Sequence, residues 1–217
     1  MYLINELGGI YMIQPKIRNL LHTTFKEALQ EDLFENFYIE ENDNEDTELS
    51  HITINECHFK GISFNDMIFK DNDLLDVIFD NCDLSNISFE NKNNRRVIFR
   101  NCRLMGIDFS DSILQNIQFI DCLMTYANFS FSKIKDCLFK NSILIDSSFV
   151  ETTTTKTQFI QCNLSKSEFM LSQFNKIDLS SCTLEEIKTD LSSLKGMKVN
   201  IYQAAQMAKL LGIEIAE

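Results

Sequence analysis

Cys82-Asp83-Leu84-Ser85-Asn86 is a small residue, a polar one, a large aliphatic one and two more polar ones. The same order returns in Cys162-Asn163-Leu164-Ser165-Lys166. Working outward from these two stretches, the large residue recurs at positions whose number ends in 4 or 9. From Leu49 to Leu194 nearly every such position is Phe, Leu, Ile or Met, with Asn94, Thr154 and Thr189 as polar interruptions. A period of five fits neither a helix at 3.6 nor a flat strand at 2. It fits a chain that turns a corner every five residues and points one large side chain inward from each side.

A second inward position lies two residues before each large one, as strand alternation requires. All seven cysteines occupy it: Cys57, Cys82, Cys102, Cys122, Cys137, Cys162 and Cys182. Positions two after the large residue are rich in Asp, Asn and Gly, which tolerate a left-handed backbone or bond their own backbone. Phenylalanine recurs every 20 residues on two tracks. One is Phe59, Phe79, Phe99, Phe119, Phe139 and Phe159; the other is Phe69, Phe89, Phe109, Phe129, Phe149 and Phe169. A 20-residue coil therefore has four sides, and two opposite sides carry stacked phenylalanine. Coils about 4.8 Å apart, roughly seven of them, predict a rod about 35 Å long.

The two quoted stretches resemble the pentapeptide-repeat family over about two thirds of the chain. The resemblance implies an all-β solenoid, a right-handed quadrilateral β-helix, here with a short C-terminal α-helix. Residues 1–48 read as an acidic, partly helical capping segment, 49–199 as the β-helix and 200–217 as a helix with a short strand. Lys16 to Phe37 has loosely amphipathic spacing (Ile17, Leu20, Leu21, Phe25, Ala28, Leu29, Leu33) and predicts a helix over the open first coil. Glu40 to Glu48 predicts an acidic loop or an irregular first coil. Lys92, Asn93, Asn94, Arg95 and Arg96 put Lys and Asn at inward positions, so the backbone there is expected to bulge outward, as a possible contact loop for a partner.

At the C-terminus, Asn200 and Gln203 have capping-box spacing before a helix over Ile201 to Leu211, with Gly212 as its stop and Ile213-Glu214-Ile215 as a short strand. Gly196 to Ile215 is similar to the C-terminal end of Qnr-type quinolone-resistance proteins and their mycobacterial MfpA relatives. The resemblance implies a homodimer joined end to end through this segment. Its interface would use Tyr202, Ala204, Ala205, Met207, Ala208, Leu210, Leu211, Ile213 and Ile215. It further implies DNA gyrase or topoisomerase IV as the partner, with the rod mimicking DNA and protecting the enzyme from quinolones. A scaffold for protein interactions without a topoisomerase role is the other reading of the same repeat.

Composition narrows the classes. The chain carries a formal charge of −12, unevenly spread. Residues 1–48 sum to −8, 49–91 to −6, 92–140 to +4 and 141–196 to −2, and 197–217 balance. An acidic chain repels nucleic acid and favours basic partners, so no direct nucleic-acid binding is expected. No run of eighteen apolar residues is present, so no membrane span is expected. Met1 to Ile13 lacks the basic flank of a signal peptide, which makes the cytoplasm the expected compartment. The cysteine spacings are not those of zinc sites, and no nucleophile elbow, phosphate loop or HExxH is found. The chain is expected to be non-enzymatic, with no cofactor and no metal.

Overall fold

The computed structural model describes residues 4–7, 10–31, 34–41, 48–65, 68–174, 176–210 and 212–215. The elements are β1 (Ile4–Leu7), β2 (Ile10–Ile13), β3 (Leu21–His22), α1 (Phe25–Ala28), β4 (Phe37–Ile39), β5 (Glu48–Ser50), β6 (Thr53–Lys60), β7 (Ile68–Lys70), β8 (Asp73–Asp80), β9 (Asn93–Arg100), β10 (Ile113–Ile120), β11 (Lys133–Lys135), β12 (Leu138–Lys140), β13 (Thr153–Thr155), β14 (Gln158–Ile160), α2 (Leu191–Leu194) and α3 (Ile201–Leu210). All solenoid strands pair in parallel, and the register is 20 residues from β4 onward: Ile39 opposes Phe59, Phe59 opposes Phe79, Phe79 opposes Phe99 and Phe99 opposes Phe119. The chain is an all-β, right-handed quadrilateral β-helix with a C-terminal helix, as the repeat predicts.

Taking residues 57–61 and their 20-residue repeats as the first side, 62–66, 67–71 and 72–76 define the second, third and fourth. Corner residues adopt φ near +49° to +64°, including Asn81, Asn101, Asp111 and Asn141. Asn and Asp tolerate that region at low cost. At Gly106 (φ +64°) a Cβ would lie 2.6 Å from Asn86 Oδ1, so a larger residue there requires the Asn86 side chain to move.

All twelve track phenylalanines are buried. On the first side they stack nearly parallel, with centroids 5.0 Å apart for Phe79–Phe99, 4.8 Å for Phe119–Phe139 and 4.5 Å for Phe139–Phe159. On the third side Phe109–Phe129 stack at 5.5 Å and Phe149–Phe169 at 5.4 Å, and the two tracks meet edge to face. The second inward position is small for a reason beyond space. Its hydroxyl or thiol donates to a carbonyl 23 residues earlier: Cys102 Sγ to Phe79 O, Ser112 Oγ to Phe89 O, Thr152 Oγ1 to Phe129 O. That bond satisfies a buried acceptor at the corner.

Three local expectations are corrected. Lys16 to Phe37 is not one helix: it holds β3, the four-residue α1 and the start of β4. Asn19 and Asn36 sit at positive φ and break the run. Phe34 and Ile39 already lie on the positions ending in 4 and 9, and both are buried, so the coil begins before Leu49. The Thr24–Glu27 capping box fixes α1, and its Phe25 stacks on Phe59 at 5.7 Å and meets Phe64 edge-on at 5.8 Å. Second, residues 91–96 do not bulge. β9 runs unbroken and pairs with both β8 and β10. Asn93 and Asn94 pair with Ile113 and Leu114 of β10, and from Arg95 onward β8 holds the strand as well; a bulge would forfeit that pairing, and the fold instead buries Asn94. Third, Ile213–Ile215 forms no strand. Leu33, Asp66, Met67, Leu211 and most of the Glu40 to Glu48 loop lie outside the described residues.

The N-terminus adds a feature with no counterpart in the repeat. β1 and β2 form an antiparallel hairpin. The following segment is tied to the corner between the fourth and first sides: Ile13 N–H donates to Asn116 Oδ1 (3.2 Å) and Lys16 N–H to Asp76 Oδ1 (2.8 Å). Met12 is buried, as are Ile98, Gln118 and Leu138, which occupy outward positions of the first side.

Candidate interaction surfaces

Sorting the charges by side changes their meaning. The third side carries Glu48, Asp71, Glu90, Asp108, Asp111, Glu151, Glu168 and Asp190 against two cations, Lys70 and Lys188. Bridges from Ser88 through Asp108, Asn128, Ser148 and Glu168 to Lys188 keep these outward residues in one file. The acidic groups are therefore displayed along one edge of a regular rod. The fourth side, from residue 92 to 176, is the reverse: seven cations and one acid, Asp136. Two of those cations are engaged, Lys92 with Asp71 (3.5 Å) and Arg96 with the buried Asp76 through two bonds of 2.5 and 2.6 Å.

The residues expected to form a contact loop divide accordingly. Asn93 and Arg95 face solvent, Lys92 is half-buried, and Arg96 is held against Asp76. Asn94 points into the core, with neither side-chain atom hydrogen-bonded. These residues are part of a flat sheet and not a projection.

The C-terminal end is the third surface. Asn200 and Gln203 cap α3 reciprocally, and Gln203 also donates to Leu179 O and Cys182 O, which fastens the helix onto the last coil. Met207 packs on the core. Tyr202 is 81% exposed and Leu210, Ile213 and Ile215 about half exposed; Ala204 is exposed, and Ala205 and Ala208 are half-buried. Leu184, Ile187, Met207 and Leu210 line a groove beside the helix.

The seven cysteine thiols are free and buried. Burial pushes the thiols of Cys57 and Cys137 up to about 12, and that of Cys82 is also raised, chiefly by its bond to Cys102. Raised and buried thiols are inert at neutral pH. Among the described residues no group of His, Cys, Asp or Glu is placed to hold a metal ion. No helix among them is long and apolar enough to cross a membrane.

Two family models match the chain: "Pentapeptide repeats (8 copies)" over residues 47–86 and "Pentapeptide repeat region" over residues 72–145. No curated protein matches. Among solved structures, a form of QnrB1, described as a plasmid-mediated fluoroquinolone resistance protein, is 22% identical, with 86% of this chain and 92% of that one covered and a TM-score of 0.44. HetL of the cyanobacterium Nostoc, described as involved in heterocyst differentiation regulation, is 13% identical, with 79% and 91% covered and a TM-score of 0.27. The repeat, its 20-residue register and the two family models agree: residues 47–145 are built of pentapeptide repeats.

Proposed function

We propose that this protein is a non-enzymatic binding module that presents its third side as a mimic of the DNA backbone to DNA gyrase or a related type II topoisomerase, and protects the enzyme from quinolones. The carrying observation is the excess of eight acids over two bases along the third side. Stacked rungs about 4.8 Å apart set the axial spacing of these charges, with one uncharged rung at residues 127–131. A basic groove built for phosphates attracts such a rod by the same long-range field that draws in DNA. The similarity of Gly196 to Ile215 to the Qnr-type C-terminus supports gyrase as the partner. It also supports a homodimer through the exposed apolar end, which would double the length of the charged edge.

The test is gyrase supercoiling with purified protein, with and without a fluoroquinolone. The proposal expects inhibition at high protein concentration and restored supercoiling in the presence of drug at lower concentration. Neither effect, together with no detectable binding, would refute it.

A further inference from the structure

The fourth side does not serve a DNA mimic, and its chemistry is opposite. Arg95, Lys133, Lys135, Lys156 and Lys176 are exposed, and none is ion-paired among the described residues. Register sets them on one sheet face: Arg95, Gln115 and Lys135 are successive Cα partners, as are Asn93, Ile113 and Lys133. In a chain of charge −12, a side with seven cations against one acid between residues 92 and 176 is not explained by solubility.

A second observation comes from the corner between the third and fourth sides. Phe131 and Leu171 stand there at φ of +61° and +58°, half exposed. The same corner elsewhere is Asn91, Asp111 or Glu151. A bulky residue held in the left-handed region without burial gains nothing for the fold, and retained strain of this kind points to function. Ile113, 39% exposed, lies in the middle of the cations.

We propose that the fourth side, with Phe131 and Leu171 at its rim, is a second docking surface, whose occupant is a protein surface rich in carboxylates that also offers apolar or aromatic side chains. Charge complementarity selects an anion, and the apolar rim selects protein over nucleic acid, since interfaces between proteins are enriched in aromatic residues and Arg. The axial layout adds to this. Toward the N-terminal coils the same side turns acidic at Glu56 and Asp73. A stiff duplex lying along the rod would run from cations onto carboxylates; a compact acidic patch would not. The rod is thus two-faced, with adjacent sides of opposite sign.

The probes are a labelled glutamate–tyrosine copolymer, poly-glutamate of equal length, and a DNA duplex, titrated into the full chain at low salt and followed by anisotropy. The copolymer is expected to bind more tightly than poly-glutamate, and the duplex most weakly. Lys133→Glu, Lys135→Glu and Lys156→Glu together should weaken copolymer binding at least about tenfold, as close opposite-charge contacts do. Reversing Lys140, Lys166 and Lys188, which lie on other sides, should leave it within about twofold. Phe131→Asn places an ordinary corner residue; it should keep or raise the melting temperature while erasing the preference for the copolymer over poly-glutamate. Tighter binding to the duplex would assign the side to nucleic acid and overturn the proposal. No binding by folded protein, or equal loss from both triple variants, would also overturn it.

Discussion

Asn94 is a costly residue for the rod to bury. It occupies a large-residue position between Leu74 and Leu114, is 1% exposed, and leaves both amide atoms without a partner. An unsatisfied buried amide costs about 1–3 kcal/mol. Asn94→Leu restores the repeat, so it should raise stability by about 1–3 kcal/mol in chemical denaturation, with the slope unchanged. A decrease would show that Asn94 has a buried partner. Thr154 is the contrasting case, since its hydroxyl donates to Gln173 O at 3.1 Å and pays for its own burial. Polar interruptions at this scale were legible as interruptions. What was not legible was which way the backbone would resolve them. That depended on β8 and β10 holding β9 from both sides, which no local pattern records.

At the scale of elements, the repeat was readable because each side is its own five-residue signal. The sides, the corners and the phenylalanine tracks all follow from local spacing. The N-terminus was misread because Phe25, Ala28 and Leu29 mimic helical spacing, while Phe34 and Ile39 were already in phase with the coil. The strap over the rod was invisible for another reason: its ties are backbone N–H groups of Ile13 and Lys16 meeting Asn116 and Asp76, and backbone donors leave no mark in a sequence. Asp76 is the keystone, almost fully buried, bonded at once to Arg96 and to the strap. Removing one partner of a buried pair leaves an uncompensated charge, at about 3–5 kcal/mol. Asp76→Ala should therefore destabilise the rod by about 3 kcal/mol, less what Arg96 recovers by reaching solvent, and should free the strap to limited proteolysis before Lys26. Wild-type protease resistance in that variant would contradict the role given to Asp76.

At the scale of the molecule, the charge pattern changed most between sequence and structure. Summed along the chain, the charge runs −8, −6, +4 and −2, which suggests an acidic end and a basic middle. Summed by side, it resolves into an acidic third side and a basic fourth side. The signal was present in the residue numbers modulo 20, but only the four-sided register gives that sorting a physical meaning. The C-terminal end also belongs to this scale. Leu210 is half exposed beside an apolar groove. Leu210→Asp should convert a dimer of about twice the 25.2 kDa chain mass into a monomer by light scattering at micromolar concentration. A wild-type mass of one chain, or a variant that stays dimeric, would remove the dimer or its location.

The central claim is that the third side stands in for DNA. The most direct measurement is displacement of labelled DNA from gyrase by the wild-type rod and by a variant carrying Glu90→Gln, Asp111→Asn, Glu151→Gln and Glu168→Gln. These four side chains form no ion pairs among the described residues, and Asn suits the corner at 111, so the fold should be kept. Mimicry predicts competitive displacement by the wild type and a loss of at least about tenfold in the variant, steepest at low salt. Displacement that is absent, or that survives the four substitutions unchanged, would contradict it.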